Sequence, residues 1–496
     1  MAIRRYVADA DNTITNAFES DLTTRGTGSN MGAADSLEVF SLYGQTSASS
    51  GLTSELSRIL IKFPVNNIIV DRAASTIPAS GSVSFYLKMY NAEHPYTLAR
   101  DFKLLVSPVS SSWEEGRGLD MEEYKDITYD STGSNWINAS GSSSLGIGTW
   151  ATAGGDYLTA QRNLLTASFP SGWEDLELDI STIVEDWIQS SDGSADKYEN
   201  YGLGIRLTSS QETSGQPYYT KKFFARTTEF FFKRPVIEAR WDSRTKDDRG
   251  NFYYSSSLAP GPENLNTLYF YNYVRGRLVN VPGLGQGGRI LVSLYSGSSS
   301  PAGSKLTLYN SKTNITGGYV STGIYSASVG ITASSPPLTR LFDVWHSGST
   351  QYVTSSLAPL ILTAYNHAPT FEYVTAITNL KSEYSRQEDA RLRLFVREKD
   401  WNPNIYSVAT STVPNKTIVS ASYKIARMTD DLDVITYGTG SDKHTYLSYD
   451  ISGNYFDLDV NLLEAGYAYG VKFSYYNHSI KSWVEQPETF KFRVEE

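Results

Sequence analysis

Residues 82–90 read SVSFYLKMY, and apolar and polar side chains alternate along the whole stretch. Successive side chains of a β-strand point to opposite faces of a sheet, so this period of two predicts a half-buried strand. The expected buried face carries Val83, Phe85, Leu87 and Met89, and the opposite face carries Ser84, Tyr86 and Lys88. A sheet with one apolar face needs a second layer to cover it.

Similar short apolar stretches recur along the chain and are separated by turns rich in Ser and Gly. We predict strands at 57–63, 102–106, 201–207, 235–241, 267–274, 289–295, 305–309, 340–345 and 391–397. This pattern favours an all-β protein built from tandem β-sandwich domains. The composition agrees, because β-branched and aromatic residues suit a half-buried pleat.

Three domains are expected. Residues 1–242 form a first β-sandwich, and 243–365 and 366–496 form two Ig-like sandwiches, the second of them also like a fibronectin type III domain. The polar run 244–249 marks the first linker. In the last domain Leu463, Gly466 and Tyr469 have the Leu-x-x-Gly-x-x-Tyr spacing of a tyrosine corner, in which the Tyr hydroxyl binds upstream backbone.

One segment departs from the strand pattern. Ile180, Val184, Trp187 and Ile188 recur at helical spacing. They predict a short helix over one end of the first sandwich. Thr182 and Glu185 have the spacing of a capping box at its start.

Charge and cysteine content narrow the class of protein. The 496 residues carry a formal net charge of −10 and no Cys, so the chain is not a disulfide scaffold. Binding to nucleic acid requires clustered basic residues, and no such cluster occurs; Arg4-Arg5 and Lys221-Lys222 are single pairs, expected to be solvated strand ends. Neither a signal peptide nor an apolar run long enough for membrane insertion is visible.

Motifs for cofactors and metals are weak. Residues 283–288 match G-x-G-x-x-G, but the residues that follow predict a strand where a dinucleotide site needs a helix, so a glycine hairpin is favoured. Asp9, Asp11 and Asn12 begin like a calcium loop, yet the later ligand positions are missing, and a solvated strand start is expected instead. No cofactor and no metal site is predicted.

Catalytic residues are not predicted either. Glu114, Glu115, Glu122 and Glu123 surround Trp113, but consecutive carboxylates on an extended chain point to opposite faces. The five histidines are scattered, without the i, i+4 spacing of a zinc helix. An enzyme acting on polysaccharide would need convergent acids, which this sequence does not offer.

Several motifs in order give the first 242 residues a family resemblance. They are ADADNTITNAF (8–18), SRILIKFP (57–64), SFYLKMYNA (84–92), SSWEEG (111–116), NW (135–136), LDISTIVEDW (178–187), NYGLGIRL (200–207), FFARTTE (223–229) and RPVIEARW (234–241). Together they resemble a DNRLRE-type module. The resemblance implies a jelly-roll-like sandwich of the kind found on microbial surface proteins, some of which bind polysaccharide. It also implies that Trp113 is a core residue with its Glu neighbours at the rim.

The C-terminal part carries a second resemblance. Residues 391–412 (RLRLFVREKDWNPNIYSVATST), 437–441 (YGTGS) and 447–459 (LSYDISGNYFDLD) resemble segments of virion structural proteins from tailed phages of marine bacteria. This implies a non-enzymatic component of the tail, neck, baseplate or capsid exterior, folded in the host cytoplasm and located in the virion. Its partners would be other virion proteins and copies of itself.

The alternative function is a surface or fibre protein that binds host glycan through its first domain. Tyr pairs, such as 218–219, 253–254 and 475–476, are expected to place one ring in the core and one outside. Outward rings suit protein interfaces, sugar rings or ordinary strand surface alike. The residues of any glycan-binding or partner-binding site are unknown at this stage.

Overall fold

The computed structural model describes residues 2–19, 21–43, 54–94, 99–119, 133–141, 148–190, 197–215, 219–284, 288–309, 311–364, 371–402 and 415–496. The chain divides into two compact units, Ala2–Asp242 and Ser243–Glu496. Both are built almost entirely of β-sheets, so the predicted all-β class and its tandem sandwiches are confirmed.

The described residues of the first unit form a two-sheet sandwich, a separate two-stranded sheet of β7 and β8, and three short α-helices. Its strands are β1 (Ile3–Val7), β2 (Ala10–Thr15), β3 (Ser36–Tyr43), β4 (Ser54–Lys62), β5 (Ser84–Met89), β6 (Phe102–Pro108), β7 (Asn138–Ser140), β8 (Gly148–Thr149), β9 (Leu165–Phe169), β10 (Leu176–Asp179), β11 (Leu203–Leu207), β12 (Tyr219–Phe224) and β13 (Val236–Arg240). Its helices are α1 (Val65–Ala73), α2 (Ser181–Ser190) and α3 (Ser209–Glu212).

One sheet has the order β1-β13-β5-β10, and the other has the order β12-β3-β4-β11-β6-β9, with β2 also paired to β4. The alternation at 82–90 behaves as predicted on its apolar side: Phe85, Leu87 and Met89 are fully buried in the core between the sheets. Leu104 and Ile205 meet them from the other sheet. The core is therefore shared by both layers.

Helix α2 confirms the helical spacing, and Val184, Trp187 and Ile188 pack into the same core. The predicted capping box is wrong, because the helix begins at Ser181 and Thr182 lies inside it. Asp179 Oδ1 accepts the Ser181 N–H at 2.9 Å instead. Glu185 forms a two-point ion pair with Arg72 of α1, at 2.6 and 2.7 Å.

The first part of the second unit is one curled sheet. Its strands are β14 (Asn266–Tyr271), β15 (Tyr273–Val274), β16 (Arg277–Leu278), β17 (Ile290–Ser296), β18 (Ile315–Ser321), β19 (Ile324–Val329), β20 (Leu341–Ser347) and β21 (Thr350–Leu357). Six of them follow the order β14-β19-β18-β17-β20-β21. Phe270 of β14 and Trp345 of β20 have ring centroids 5.8 Å apart although three strands lie between them. The sheet thus folds over its own core.

Residues 305–309, predicted as a strand, are not one. Leu306 N donates to Leu294 O at 2.8 Å, but the next residues do not continue a strand ladder, because Leu308 N donates to Lys312 O at 2.7 Å. The buried Leu308 side chain produced the strand-like pattern.

The last part of the chain is a two-sheet sandwich. Its strands are β22 (Tyr373–Ile377), β23 (Glu383–Ser385), β24 (Asp389–Glu398), β25 (Ala421–Arg427), β26 (Leu432–Ile435), β27 (Ser448–Asp450), β28 (Gly453–Asp459), β29 (Ala468–Asn477), β30 (Ser482–Glu485) and β31 (Phe490–Glu495). One sheet has the order β22-β24-β28-β27 and the other β23-β31-β29-β25-β26, with β30 on β29. Tyr423 and Phe456 stack between the sheets, with centroids 4.2 Å apart. We call this region the C-terminal sandwich.

The tyrosine corner is present. Tyr469 is fully buried, and its hydroxyl donates to Glu464 O at 2.8 Å and accepts from Glu464 N at 3.0 Å. Gly466 turns the chain at a φ of +87°, a conformation that suits glycine. The prediction from spacing alone is confirmed.

The polar run 244–249 is bound into the second unit and is not a free linker. Arg249 forms a two-point ion pair with Asp343, which is fully buried, at 2.6 and 2.8 Å. Tyr449 donates its hydroxyl to Asp248 at 2.8 Å. The predicted boundary at 365/366 stays a prediction.

Candidate binding site

A cavity of about 360 Å³ opens in the C-terminal sandwich. Rings form much of its wall, contributed by Phe371, Tyr373, Tyr475 and Tyr476, with Lys416 beside them. Asn477 ends β29, the turn from β29 to β30 adds His478 and Ser479, and Val484 and Gln486 follow. We call this cavity the aromatic pocket. Among its described lining residues there is no carboxylate.

Strand alternation places the two central rings. Tyr475 of β29 points into the sandwich and is 3% exposed, and its hydroxyl lies 2.8 Å from Thr375 Oγ1 of β22 in the opposite sheet. The Tyr373 ring meets the Tyr475 ring edge-on, with centroids 5.8 Å apart. Burial raises the pKa of the Tyr475 hydroxyl. The hydroxyl is therefore neutral and occupied, and Tyr475 offers the pocket its ring.

Lys416, the one Lys or Arg among the described lining residues, is already paired. Lys416 Nζ forms an ion pair with Glu398 and lies 4.4 Å from the centroid of the Phe371 ring. A cation over the face of an aromatic ring is attracted by the ring quadrupole. The Lys416 charge is thus largely neutralised by its neighbours.

Two amides remain partly unused. Asn477 Oδ1 accepts from Ser479 N at 2.9 Å, and Gln486 Nε2 donates to Val484 O at 3.0 Å. The opposite ends of these amides, Asn477 Nδ2 and Gln486 Oε1, have no hydrogen bond among the described residues. Both are available to a ligand.

The acidic cluster around Trp113 is structural where it is described. Glu115 binds Arg226 through both oxygens at 2.6 Å and accepts the Asp11 N–H at 2.9 Å. Glu114 accepts from Gly141 N at 3.3 Å, so the two neighbours serve different partners, as expected for an extended chain. Glu122 and Glu123 lie outside the described residues.

The expected solvated strand start at Asp9 to Asn12 is confirmed for Asp9, which is exposed, and is wrong for Asp11 and Asn12, which are fully buried. Asn12 binds Ser134 through its amide at 2.9 Å and accepts from Met31 N at 2.8 Å. Asp11 Oδ2 accepts from Arg226 N at 2.6 Å, whereas Oδ1 has no hydrogen-bond partner among the described residues. Burial raises the pKa of Asp11 to about 7.

In each basic pair one residue is bound to internal partners, whereas Arg4 and Lys222 keep partly exposed side chains. Lys221 is 1% exposed and donates to Asn91 Oδ1, Gly172 O and Glu174 O at 2.6 to 2.8 Å. Burial lowers the pKa of Lys221 to about 8. Arg5 donates to the buried Glu238 at 2.7 Å. Such burial is costly unless each charge is satisfied, and the sequence pattern does not show the partners.

Trp113 lies outside the main core. Its ring is half-buried beside a small cluster that includes Trp136 and Trp150, and its Nε1–H donates to Tyr201 O at 2.7 Å. The resemblance-based placement of Trp113 is therefore only partly right. Its role is still structural.

The other candidates add no chemistry. A strand, β17, does follow the glycine motif, whose residues 285–287 lie outside the described ranges. His346 Nε2 lies 2.9 Å from Ser293 Oγ, His478 lines the aromatic pocket, and His367 lies outside the described residues. In the described part of the chain, no three His, Cys, Asp or Glu side chains are grouped to hold a metal ion.

Two Tyr pairs behave as predicted. Tyr254 and Tyr475 are buried, and their neighbours Tyr253 and Tyr476 are partly exposed. Tyr218 of the third pair lies outside the described residues. The pair 475–476 leads directly to the aromatic pocket, so pairing was the one sequence signal that pointed there. Within the described ranges, no helix has the length and apolar character that a bilayer crossing requires.

Comparisons with known proteins identify no family. No protein-family model matches the chain, and neither does any curated protein. Two similar solved structures are the N-terminal Ig1-2 module of Drosophila Receptor Protein Tyrosine Phosphatase DLAR, at 8% identity over 47% of this chain and 90% of that one, and the tandem Ig repeats of Dlar, at 8% over 41% and 81%. Their TM-scores are 0.14 and 0.13, too low to carry a conclusion.

Proposed function

We propose that this chain is a non-enzymatic structural component of a bacteriophage virion, acting through protein–protein packing in the tail, neck, baseplate or capsid exterior. The non-enzymatic part of the proposal is supported by the internal hydrogen bonds and ion pairs of the candidate catalytic residues. The described acids and cations that the sequence marks for chemistry, among them Asp11, Glu115 and Lys221, are bound to internal partners. The phage assignment is supported by the resemblance of residues 391–412 and 447–459.

Internal pairing argues for a scaffold because catalytic acids and bases must reach a substrate atom. Glu115 has both oxygens on Arg226, and the Lys221 ammonium has three oxygen acceptors. Neither side chain is free to exchange a proton with a bound molecule. The partners we propose are other virion proteins and copies of this chain.

Immunogold labelling of purified phage particles tests the virion proposal. Particles from the host that carries this gene are labelled with antibody to the full chain and imaged by electron microscopy. We expect labelling at one fixed position, and cross-linking followed by mass spectrometry should then join this chain to other virion proteins. Particles without label, with the chain recovered only from the unassembled fraction, would overturn the proposal.

Glycan binding by the first unit is the second candidate function, and one side chain favours it. Trp173 is 49% exposed, which is unusual for the largest apolar ring. The residues on either side of it are held in place, because Lys221 binds the carbonyl oxygens of both Gly172 and Glu174. A glycan array probed with the full chain and with Trp173→Ala tests this. Unchanged glycan binding by the variant would show that Trp173 does not bind the glycan.

A further inference from the structure

The aromatic pocket suits a ligand that has both an apolar surface and hydrogen-bonding groups. Tyr373, Tyr475 and Tyr476 supply rings, which favour contact with apolar C–H groups. Asn477 Nδ2 and Gln486 Oε1 supply one unused donor and one unused acceptor. Small-molecule sites commonly combine an apolar wall with a few placed polar groups, in a volume of roughly 300 to 1,000 Å³. The 360 Å³ cavity fits that description.

Charge points to a neutral ligand. Lys416 is paired with Glu398 and covers the Phe371 ring, so it has little attraction left for an anion. It also repels a second cation from that ring, and no described lining residue is a carboxylate that could attract one. An aromatic cage for ammonium groups would need the opposite arrangement.

We propose that the aromatic pocket binds a neutral pyranose ring of a glycan. The apolar C–H face of the sugar lies against the Tyr rings, and its hydroxyl groups bond to Asn477 and Gln486. A purely apolar protein side chain would leave these two amides buried without hydrogen-bond partners, which is unfavourable. Tyr373 and Tyr475 stand at 77°, so these two rings do not form a slot with parallel walls that would hold a flat nucleobase on both faces.

Saturation-transfer NMR with the full chain tests the proposal. The probes are the methyl glycosides of glucose, galactose, mannose and N-acetylglucosamine, with adenosine as the nucleobase arm. We expect transfer to at least one glycoside, strongest for the C–H protons on one face of the ring. Tyr476→Ala and Gln486→Ala should each weaken the affinity by about tenfold, equivalent to about 1.4 kcal/mol.

Two matched variants complete the design. Tyr475→Phe removes the hydroxyl that binds Thr375 but keeps the ring, so affinity should be retained. Leu258→Ala changes an exposed side chain that does not line the aromatic pocket and should also leave the affinity unchanged. The proposal is overturned if no glycoside shows transfer, if binding survives both pocket variants, if Leu258→Ala or Trp173→Ala abolishes it, or if adenosine binds and the glycosides do not. Each readout is independent of virion labelling, so the two proposals fail separately.

Discussion

Two lysines in two regions of this molecule lie over aromatic rings but differ in burial and in their hydrogen-bond partners. Lys221 in the first unit is 1% exposed, lies 4.9 Å from the Phe169 ring centroid, and gives its ammonium to three oxygen acceptors. Lys416 in the C-terminal sandwich lies 4.4 Å from the Phe371 ring centroid, with a side chain 41% exposed at the edge of a cavity. Lys221 therefore stabilises the fold of the first unit, and Lys416 lines the aromatic pocket. The two lysines differ in role because they differ in the number of internal hydrogen-bond partners.

The same contrast extends to the acids. In the first unit Glu238 lies on the polar face of the β1-β13-β5-β10 sheet, 2% exposed, with Arg5 and Arg240 at 2.7 Å and Lys88 at 3.8 Å. Although burial alone would raise it, these three positive charges hold the pKa of Glu238 well below its usual range. Charged groups of the first unit thus stabilise that unit.

The largest effect is expected from Glu238→Gln, which leaves three buried cations without their shared anion. Breaking a buried ion pair typically costs about 3 to 5 kcal/mol. Hydrogen exchange of peptides that contain β1, β5 and β13, measured in increasing urea, should show this loss. Glu177→Gln is the matched control, because Glu177 meets Arg240 and Lys88 on the same face but is 43% exposed. It should cost less than about 1 kcal/mol, and equal losses in the two variants would contradict the contrast.

Asp11→Asn should change the pH dependence of the first unit. Folded Asp11 holds its proton up to about pH 7, because burial raises its pKa, whereas in the unfolded chain the proton leaves near pH 4. Unfolding between these values releases a proton, so the Asp11 contribution to the unfolding free energy falls as pH rises from about 4 to about 7. Asn cannot titrate and can still accept from Arg226 N.

The stability of wild type relative to Asp11→Asn should therefore fall by roughly 2 to 4 kcal/mol between pH 4 and pH 8, since each pKa unit corresponds to about 1.4 kcal/mol. Hydrogen-exchange protection of the segment that contains β2 measures it. A difference between the two proteins that is constant with pH would show that Asp11 titrates normally.

Tyr469→Phe sharpens the comparison within the second unit, where one hydroxyl joins the corner to the backbone. The variant leaves Glu464 O and N without their partner and should cost about 1 to 2 kcal/mol. Tyr467→Phe, two residues away, is the matched control. The half-buried Tyr467 ring contacts the Arg427 guanidinium with its face, at 4.7 Å from the ring centroid, and Phe keeps that face, so this substitution should be near neutral for stability. Urea unfolding followed through protection of β29 distinguishes them; equal effects would remove the corner hydroxyl from the stabilising contacts.

Lys416→Met should have the smallest effect on stability. Its ion pair with Glu398 is half-exposed, and such pairs contribute about 0 to 1 kcal/mol. Exchange protection of β24 should stay within about 0.5 kcal/mol of wild type. A loss as large as that of Glu238→Gln would mean that the two regions do not differ in the way proposed here.

Local patterns were predictable where neighbours along the chain carry the information. The alternation at 82–90, the helical spacing up to Ile188 and the seven-residue spacing of the tyrosine corner each describe contacts within one element or one turn. Helix α1, with only Val65 and Ile68 buried, lacked a repeating apolar face and was missed. The strand prediction at 305–309 was wrong for the converse reason. The buried Leu308 gives the segment a strand-like pattern of apolar residues, but the segment does not form the hydrogen-bond ladder of a strand.

The β-rich class, the apolar faces of most strands and the corner at Tyr469 follow from the order of residues along the chain, because they depend on side chains a few positions apart. Which charges are buried and which rings form a cavity depends instead on how distant strands pack. Lys221 meets Asn91 across 130 positions, and Thr375 meets Tyr475 across 100. Strand register and sheet order bring such residues together, and no local pattern of residue types encodes either.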